Sequence, residues 1–511
     1  MLACGRNSSA VLSPDGSLYT TGGNRWGQIA HGLASNKWFF ESPSVDEHLR
    51  FVFVDTFDTH LAAVDKDGQV FVSGNAFHGQ LGLGRHEAKN GFQFLQYRRI
   101  SDLKTHFRRL TQVGSHRLLG ELPPFGGEPV SMVACGEYHT LALTATGRVW
   151  STGWNLSGQL GLGDLETRYL FTEVDSAHFV AGRAEGRKVI SVVAGKAHST
   201  MLCQNGLLFS CGNNGDGSLG VGDTEDRSTP TLVEGLAGRN VFSIAAGMHH
   251  NLAITDEGRL YSWGKAWFGQ LGHGNSRDAA VPREVWLPET ADDFVIMASG
   301  GMQHSMILTR DHTVWACGRG CHGVLATGDV GCRMIPVRID MGVIKESNPD
   351  NQVTMVVAGH HHTGFVASDG TLYMCGRGDG GNIWFAAEDG PGGLSLPRQM
   401  LPRLRPVMVR SARGLHLMQP VLVGPALEWE TRLATLVLAF CVPLLAKGHP
   451  AHARSRRKRP RTRQSSSRLS PFLVNFDCGV LAIIAKMLLS CPMPEHEHHH
   501  KSVRMLMGSQ N

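Results

Sequence analysis

The chain has 511 residues, of which 42% are hydrophobic, 18% charged and 62 glycine, and a formal net charge of +5. Glycine at about 12% without a three-residue period excludes collagen, and ordinary proline content excludes a chain disordered throughout. The charge is uneven: residues 401–470 hold 14 Lys/Arg against 2 Asp/Glu, residues 1–400 carry −7, and residues 471–511 balance. Many tight turns on ordinary hydrophobicity predict an all-β repeat body ahead of a basic tail. Eleven cysteines with no CxxC pair predict free thiols in a reducing compartment rather than a zinc ribbon or redox site. Met1–Arg6 shows no charged region leading into an apolar one, so no secretory leader is expected, and the expected location is cytoplasmic, nuclear or both.

One unit repeats along the chain. It starts with Ser8, a turn at Gly16 and an anchor at Gly22, and then recurs with a histidine at the position of Ser8. The histidines are His60, His139, His198, His250, His304 and His362, each 14 residues before an anchor glycine: Gly74, Gly153, Gly212, Gly264, Gly318 and Gly376. Six residues before each anchor stands a turn residue, Gly68, Gly147, Gly206, Gly258, His312 or Gly370 in these six units. A further glycine precedes most of the histidines by three residues: Gly136, Gly195, Gly247, Gly301 and Gly359. Asp67-Gly68, Asn205-Gly206 and Asp369-Gly370 sit between alternating apolar and polar runs, the pattern of a two-stranded hairpin. A glycine-rich reversal and an outer run such as Thr231–Val233 or Pro336–Ile339 complete about four strands per unit.

Successive anchors lie 52, 79, 59, 52, 54 and 58 residues apart. The second interval exposes an insertion of some 25 residues within 85–130, mixed basic and aromatic (Phe92, Phe94, Tyr97, Arg98, Arg99, Phe107, Arg108, Arg109). It reads as a solvated loop or as a partner-binding one. The first unit begins at its histidine-position strand, which predicts that a strand from beyond residue 395, such as Arg405–Val409, completes a blade. After about residue 410 the material changes. Arg454, Arg456, Arg457, Lys458, Arg459, Arg461 and Arg463 place seven cations in ten residues, a run that cannot pack and is expected to be disordered. It reads as a nuclear localisation signal or an arm for nucleic-acid phosphates. Flanking apolar runs at 433–446 and 478–491 are shorter than the roughly 20 residues a membrane helix needs, so no membrane span is expected.

The pattern GxxHTxAL…DGxVYxWGxNxxGQLGLGD resembles the regulator of chromosome condensation repeat. GQLGLG stands intact at 79–84 and 158–163, with GQLGHG at 269–274, and the resemblance runs to about residue 390. It implies a seven-bladed β-propeller, here assigned to residues 1–410, with a partly disordered basic tail over 411–511. Exchange factors of this family engage the small GTPase Ran through turns on one propeller face and a hairpin wedge. By position, the partner-binding candidates here are Glu137, Lys196, Met248, His249, Gln303 and His361. Glu137 alone is acidic, and no GxxxxGQ turn carries a wedge-like insertion.

The repeated histidines suggest either a metal ring or bonds to neighbouring backbone within each blade, and recurrence in nearly every copy favours the structural role. GxGxxG at Gly318–Gly323 and Gly376–Gly381 opens no helix after a strand, which argues against a dinucleotide site. No HExxH, GxSxG, GxxxxGK[ST] or kinase signature occurs, so no catalytic residues, cofactor or metal are expected. The residues left after the last repeat are too few for the catalytic domain of ubiquitin ligases that carry this propeller. Plant ultraviolet receptors of the family carry repeated Gly-Trp-Arg-His-Thr, absent here. Two functions stay open: a protein-interaction scaffold, and guanine nucleotide exchange on a Ran-like GTPase with targeting by the tail.

Overall fold

A computed structural model describes residues 1–31, 36–43, 49–84, 108–109, 124–179, 188–288, 294–378, 400–406, 408–411 and 414–417. The chain divides into two compact units, Met1–Phe440 and Cys441–Asn511. The first contains seven antiparallel sheets arranged as the blades of a propeller. Blade 1 is Leu2–Cys4, Ser8–Leu12, Leu18–Gly22 and Lys37–Glu41; blade 2 is Phe51–Thr56, His60–Asp65, Val70–Gly74 and Arg108–Arg109. Blade 3 is Val130–Cys135, His139–Thr144, Val149–Gly153 and Arg168–Glu173; blade 4 is Val189–Ala194, His198–Cys203, Leu208–Gly212 and Arg227–Leu232. Blade 5 is Val241–Ala246, His250–Thr255, Leu260–Gly264 and Ala279–Val285; blade 6 is Val295–Gly300, His304–Thr309, Val314–Gly318 and Arg333–Arg338. Blade 7 is Val353–Ala358, His362–Ala367, Leu372–Arg377 and Met400–Pro406.

The first strand of each blade lies beside that of the next, and the first strand of blade 7 meets that of blade 1. These seven strands therefore surround the axis. The second strand of every blade is buried along its length, with Val366 of blade 7 alone half-buried, because it packs between its neighbours on both faces. Apolar clusters fill the seams: Leu141 and Leu143 with Met201 and Phe209, Leu202 and Leu208 with Ala253 and Trp263, Met306 and Leu308 with Phe365 and Tyr373. Burying such side chains contributes about 1.5–3 kcal/mol each relative to exposure.

The anchor glycines have a steric reason to recur. All seven adopt φ between +100° and +117°, a region that favours glycine. A Cβ at Gly153 would also stand 2.3 Å from the Tyr138 carbonyl oxygen, and one at Gly74 would stand 2.3 Å from that of Thr59.

The blade expected to need a late strand is completed differently. Leu2–Cys4 is the first strand of blade 1, so that blade draws all four strands from the start of the chain. The expected Arg405–Val409 strand divides between two blades. Met400–Pro406 is the outer strand of blade 7, with Arg405 opposite Met374. Met408–Ser411 then runs parallel to the outer strand of blade 1, Val409 opposite Phe40, and Gly414–Leu417 pairs back on it. The ring thus closes by a strand added to the edge of blade 1. Of the 85–130 insertion, Arg108–Arg109 supply the outer strand of blade 2, opposite Val72 and Phe71. Phe92, Phe94, Tyr97, Arg98, Arg99 and Phe107 lie outside the described residues, as do Arg454–Arg463 and the flanking apolar runs. No described helix is long and apolar enough to cross a membrane.

Candidate binding face

Antiparallel strands put two connections of each blade on one face: the turn from first to second strand, and the loop from third to outer strand. The histidine begins the second strand beneath that face. Its partner is not backbone within its own blade, as the spacing suggests, but a side chain of the next blade. His60 Nε2 reaches Thr140 Oγ1 at 2.8 Å, His139 reaches Ser199 Oγ at 3.0 Å and His198 reaches Asn251 Oδ1 at 3.2 Å. His250 reaches Ser305 Oγ at 2.8 Å and His304 reaches Thr363 Oγ1 at 3.0 Å. His362 closes the ring on Ser9 Oγ at 2.8 Å.

Four of these hydroxyls, those of Thr140, Ser199, Ser305 and Thr363, spend their own proton on a carbonyl of the preceding blade. Thr140 donates to Gln80 O and Ser199 to Gln159 O, both at 2.7 Å. Each therefore accepts from the imidazole Nε2–H. At His198 the partner is the Asn251 amide, whose Nδ2 donates to Ser218 O at 2.7 Å and lies 3.0 Å from the ring Nε2, with Oδ1 at 3.2 Å. The edge of the ring at Cε1 and Nδ1 lies over the preceding glycine: a Cβ at Gly136 would meet His139 Cε1 at 2.2 Å. Burial pulls the imidazoles far down, to about 4 at His60 and His198 and about 3 at His139, His250, His304 and His362. They are neutral latches. Among the described residues no three His, Cys, Asp or Glu are placed to hold a metal ion.

Above the latches, backbone bonds join the turns in a second ring across six of the seven seams. Arg6 N donates to Phe57 O, Glu137 N to Lys196 O, Lys196 N to Met248 O, Met248 N to Gly301 O, Met302 N to Gly359 O and His360 N to Gly5 O. This fixes where each turn side chain points. The six candidate residues prove to belong to two registers. Glu137, Lys196 and Met248 hold the first variable position of their turns. Glu137 is buried, and burial raises its carboxyl pKa while Lys196 at 3.7 Å opposes the shift. It braces the ring rather than facing solvent.

His249, Gln303 and His361 hold the second variable position, and there a pattern missing from the sequence reading emerges. Each meets the residue after its own anchor glycine and a loop residue of the preceding blade. At the 4/5 seam Asp216 bridges His249 Nδ1 at 3.2 Å and Lys265 Nζ at 2.9 Å. At the 5/6 seam Arg319 donates to Gln303 Oε1 at 2.8 Å and covers the Phe268 ring at 4.6 Å. At the 6/7 seam His361 stands edge-on to His322 with ring centres 5.7 Å apart, and Arg377 is among the charges acting on it. The equivalent at the 2/3 seam is aromatic: Tyr138, Trp154 and His78, with Tyr138 4.8 Å from His78 and 5.9 Å from Trp154.

The same loops expose large apolar groups. Trp26 is 42% exposed, Phe77 76%, Leu156 61% and Trp267 60%. All four lie three or four residues after an anchor glycine, and Lys265 Nζ lies 3.6 Å from the Trp267 ring centre. The signal for them was present, since these positions vary between otherwise regular copies, but nothing in the alternation said which loop positions point outward. Away from this face, Trp286 and Ile335 border a cavity of about 250 Å³ with Gly272, His273, Arg283 and Glu284.

The fold and its repeated latches define a propeller of a known class. The RCC1-like domain matches residues 1–307 and the regulator of chromosome condensation (RCC1) repeat matches 311–366, so the chain belongs to the RCC1-like family. It is 31% identical over 341 residues to the ultraviolet-B receptor UVR8 of Arabidopsis thaliana, covering 66% of this chain and 69% of the receptor. It is 32% identical over 277 residues to the E3 ubiquitin-protein ligase HERC2 of Mus musculus, 53% of this chain but only 5% of the ligase. Among solved structures, yeast RCC1 (Prp20) bound to Kap60 aligns with TM-score 0.60 and 20% identity, covering 78% of this chain and 84% of that one. Human WBSCR16 aligns with TM-score 0.56 and 23% identity, covering 71% and 84%.

Proposed function

We propose that this propeller is a protein-interaction scaffold whose loop-bearing face docks a protein partner. The observation that carries it is the set Trp26, Phe77, Leu156 and Trp267, held outward at equivalent or adjacent loop positions. Large apolar groups collected on one face of a soluble fold mark interaction sites, and aromatic anchors dominate the energetics of such interfaces. The seam residues His249, Gln303 and His361 supply the polar part of the same surface, with Lys196 at its inner edge. Replacing the four apolar residues together by serine is expected to abolish capture of the partner by the full chain. Unaltered capture with an unaltered melting temperature would refute the reading.

Exchange on a Ran-like small GTPase is the second reading. Support comes from the fold shared with the yeast protein Prp20p, described with its binding to Gsp1p and histones. In that case the face would hold a nucleotide-free GTPase and displace its phosphate and Mg²⁺ contacts. Fluorescent guanine nucleotide release from Ran, with and without the full chain, tests it: acceleration supports exchange, and an unchanged rate from folded protein removes it. Nuclear entry through Arg454–Arg463 is proposed as well, by importin recognition or contact with nucleic acid, and the yeast relative bound to Kap60 supports the former. Deleting 454–463 should leave the protein cytoplasmic; persistent nuclear accumulation would sink this.

A further inference from the structure

The described cysteines fall into two groups. Cys4, Cys135, Cys203, Cys211, Cys317 and Cys375 are buried, and burial pushes the thiols of Cys4, Cys211 and Cys317 up to about 12. Cys321 is half-buried and Cys332 exposed, and both stand in the blade 6 loop from third to outer strand. They are eleven positions apart, at the two ends of that loop.

The repeat itself shows where the Cys332 side chain is aimed. Cys332 is the residue just before the outer strand, and three other blades carry Asn or Asp there. In blade 4 Asp226 Oδ1 accepts from the backbone N–H of Asn214 at 2.7 Å, and in blade 5 Asp278 Oδ1 accepts from that of Ala266 at 2.7 Å. In blade 1 Asn36 Oδ1 accepts from that of Asn24 at 3.2 Å. Each donor is the second residue after its anchor glycine, and in blade 6 that residue is Gly320, the neighbour of Cys321. The two backbones approach closely here as well: Gly318 pairs with Arg333, and a Cβ on Gly320 would collide with the Gly331 carbonyl oxygen. A side chain aimed at the Gly320 N–H ends beside Cys321. Burial raises the Cys321 thiol, the charge of Arg319 opposes the rise, and the charge of Cys332 adds to it. Where blades 1, 4 and 5 close the loop with a hydrogen bond, blade 6 brings two thiols together.

We propose that Cys321 and Cys332 are a dithiol switch, oxidised by a peroxide to a disulfide that ties the two ends of the blade 6 loop. The exposed Cys332 sulfur attacks one oxygen of the peroxide and the O–O bond breaks. The sulfur is left as sulfenic acid, and the other oxygen departs as water or an alcohol. The Cys321 sulfur then attacks the sulfenyl sulfur, the S–O bond breaks, and the oxygen leaves as water with the proton of the Cys321 thiol. Two thiols lose two electrons and one peroxide gains them. Cys321 occupies the position of Phe77, Leu156 and Trp267 and precedes His322, which stands edge-on to His361. Drawing it to the outer strand rearranges this part of the loop face, so the oxidised protein is expected to capture its partner less well. That consequence rests on the docking reading; the link itself does not.

The test is differential alkylation of the reduced full chain before and after hydrogen peroxide, read by peptide mapping. Cys321 and Cys332 are expected to lose alkylation in equal measure, to be joined within one chain, and to return with dithiothreitol. In urea the same link should form at least about tenfold more slowly, because the fold no longer holds the two ends together. Cys332→Ser should form no link and leave Cys321 open to alkylation. Cys332→Asp, which supplies the cap of blades 4 and 5, should melt no lower than the natural chain. Sulfinic acid at Cys332 with Cys321 still free, a link between two chains, an equal rate in urea, or a lower melting temperature for Cys332→Asp would overturn the dithiol. Partner capture that falls on oxidation of the natural chain but not of Cys332→Ser supports the consequence for docking. A link that forms with capture unaltered removes that consequence alone, and unaltered capture by the serine variant of the four apolar residues removes the docking reading and leaves the dithiol.

Discussion

At the scale of single residues, the histidine and the anchor glycine carry the fold. Each imidazole is buried and neutral in the folded chain, with a pKa of about 3 or 4 against an ordinary value near 6.5. The unfolded chain therefore binds more protons below pH ~6.5. Stability is full above that value and is lost as pH falls toward the folded pKa values. At pH 5 each latch withdraws roughly 2 kcal/mol, and six of them together approach the whole stability of an ordinary domain. Thermal melting followed from pH 7 to pH 4 is expected to collapse near pH ~5. A melting temperature that is flat over this range would contradict neutral latches. His250→Ala removes a buried ring and leaves the Ser305 hydroxyl with one partner fewer, at a cost of ~3 kcal/mol by denaturant unfolding. Gly153→Ala meets both a positive φ and a carbonyl oxygen at 2.3 Å, and is expected to destabilise by at least ~2 kcal/mol. A change below ~0.5 kcal/mol would refute the steric account. The spacing of these residues made their structural role legible in the sequence. Their partners were not, because the latch pairs are 53–80 residues apart, and 353 for His362 and Ser9. One repeat examined by itself contains only half of each bond.

At the scale of elements, the 1/2 seam is the exception that tests the rest. Blade 1 has Ser8 where the others have histidine, and blade 2 has Leu61 where the others have Ser, Thr or Asn. Both halves of the latch are missing at the same seam. Leu61 instead packs with Ala10, Leu18, Val54 and Phe71, while Ser73 and Arg6 bond across to Gly27 O and Asp58. Ser8→His and Leu61→Thr are each expected to destabilise, and the double variant to recover about 1 kcal/mol of coupling. Strict additivity in a double-mutant cycle would mean that latch and seam are independent. The hairpin turns were readable from Asp-Gly and Asn-Gly. Closure was not: the fourth strand of blade 7 begins 23 residues after Arg377, and Met408–Ser411 pairs with a strand near the other end of the chain. Neither the length of a connection nor a parallel partner leaves a mark on alternation.

At the scale of the whole molecule, the ring of first strands and latches makes one platform, and the proposed function resides in the loops it holds outward. The fold keeps the latch and varies the seam residue beside it, so one position is Tyr138, His249, Gln303 or His361 in different blades. The sequence pointed to the turns but could not sort a buried brace such as Glu137 from an outward group such as Trp267, because both occupy variable positions. Backbone bonds between turns hold Glu137 in place beneath the surface, while Trp267 belongs to the loop between third and outer strands and stays exposed. The most direct measurement is quantitative partner capture by three full-length proteins: the natural chain, the variant with Trp26, Phe77, Leu156 and Trp267 changed to serine, and a control with Trp286→Ser at the cavity outside this face. Docking through the loop face predicts that the first and third capture the same partner equally and the second captures none while melting at the same temperature. Equal capture by all three, or loss only with Trp286→Ser, would contradict it.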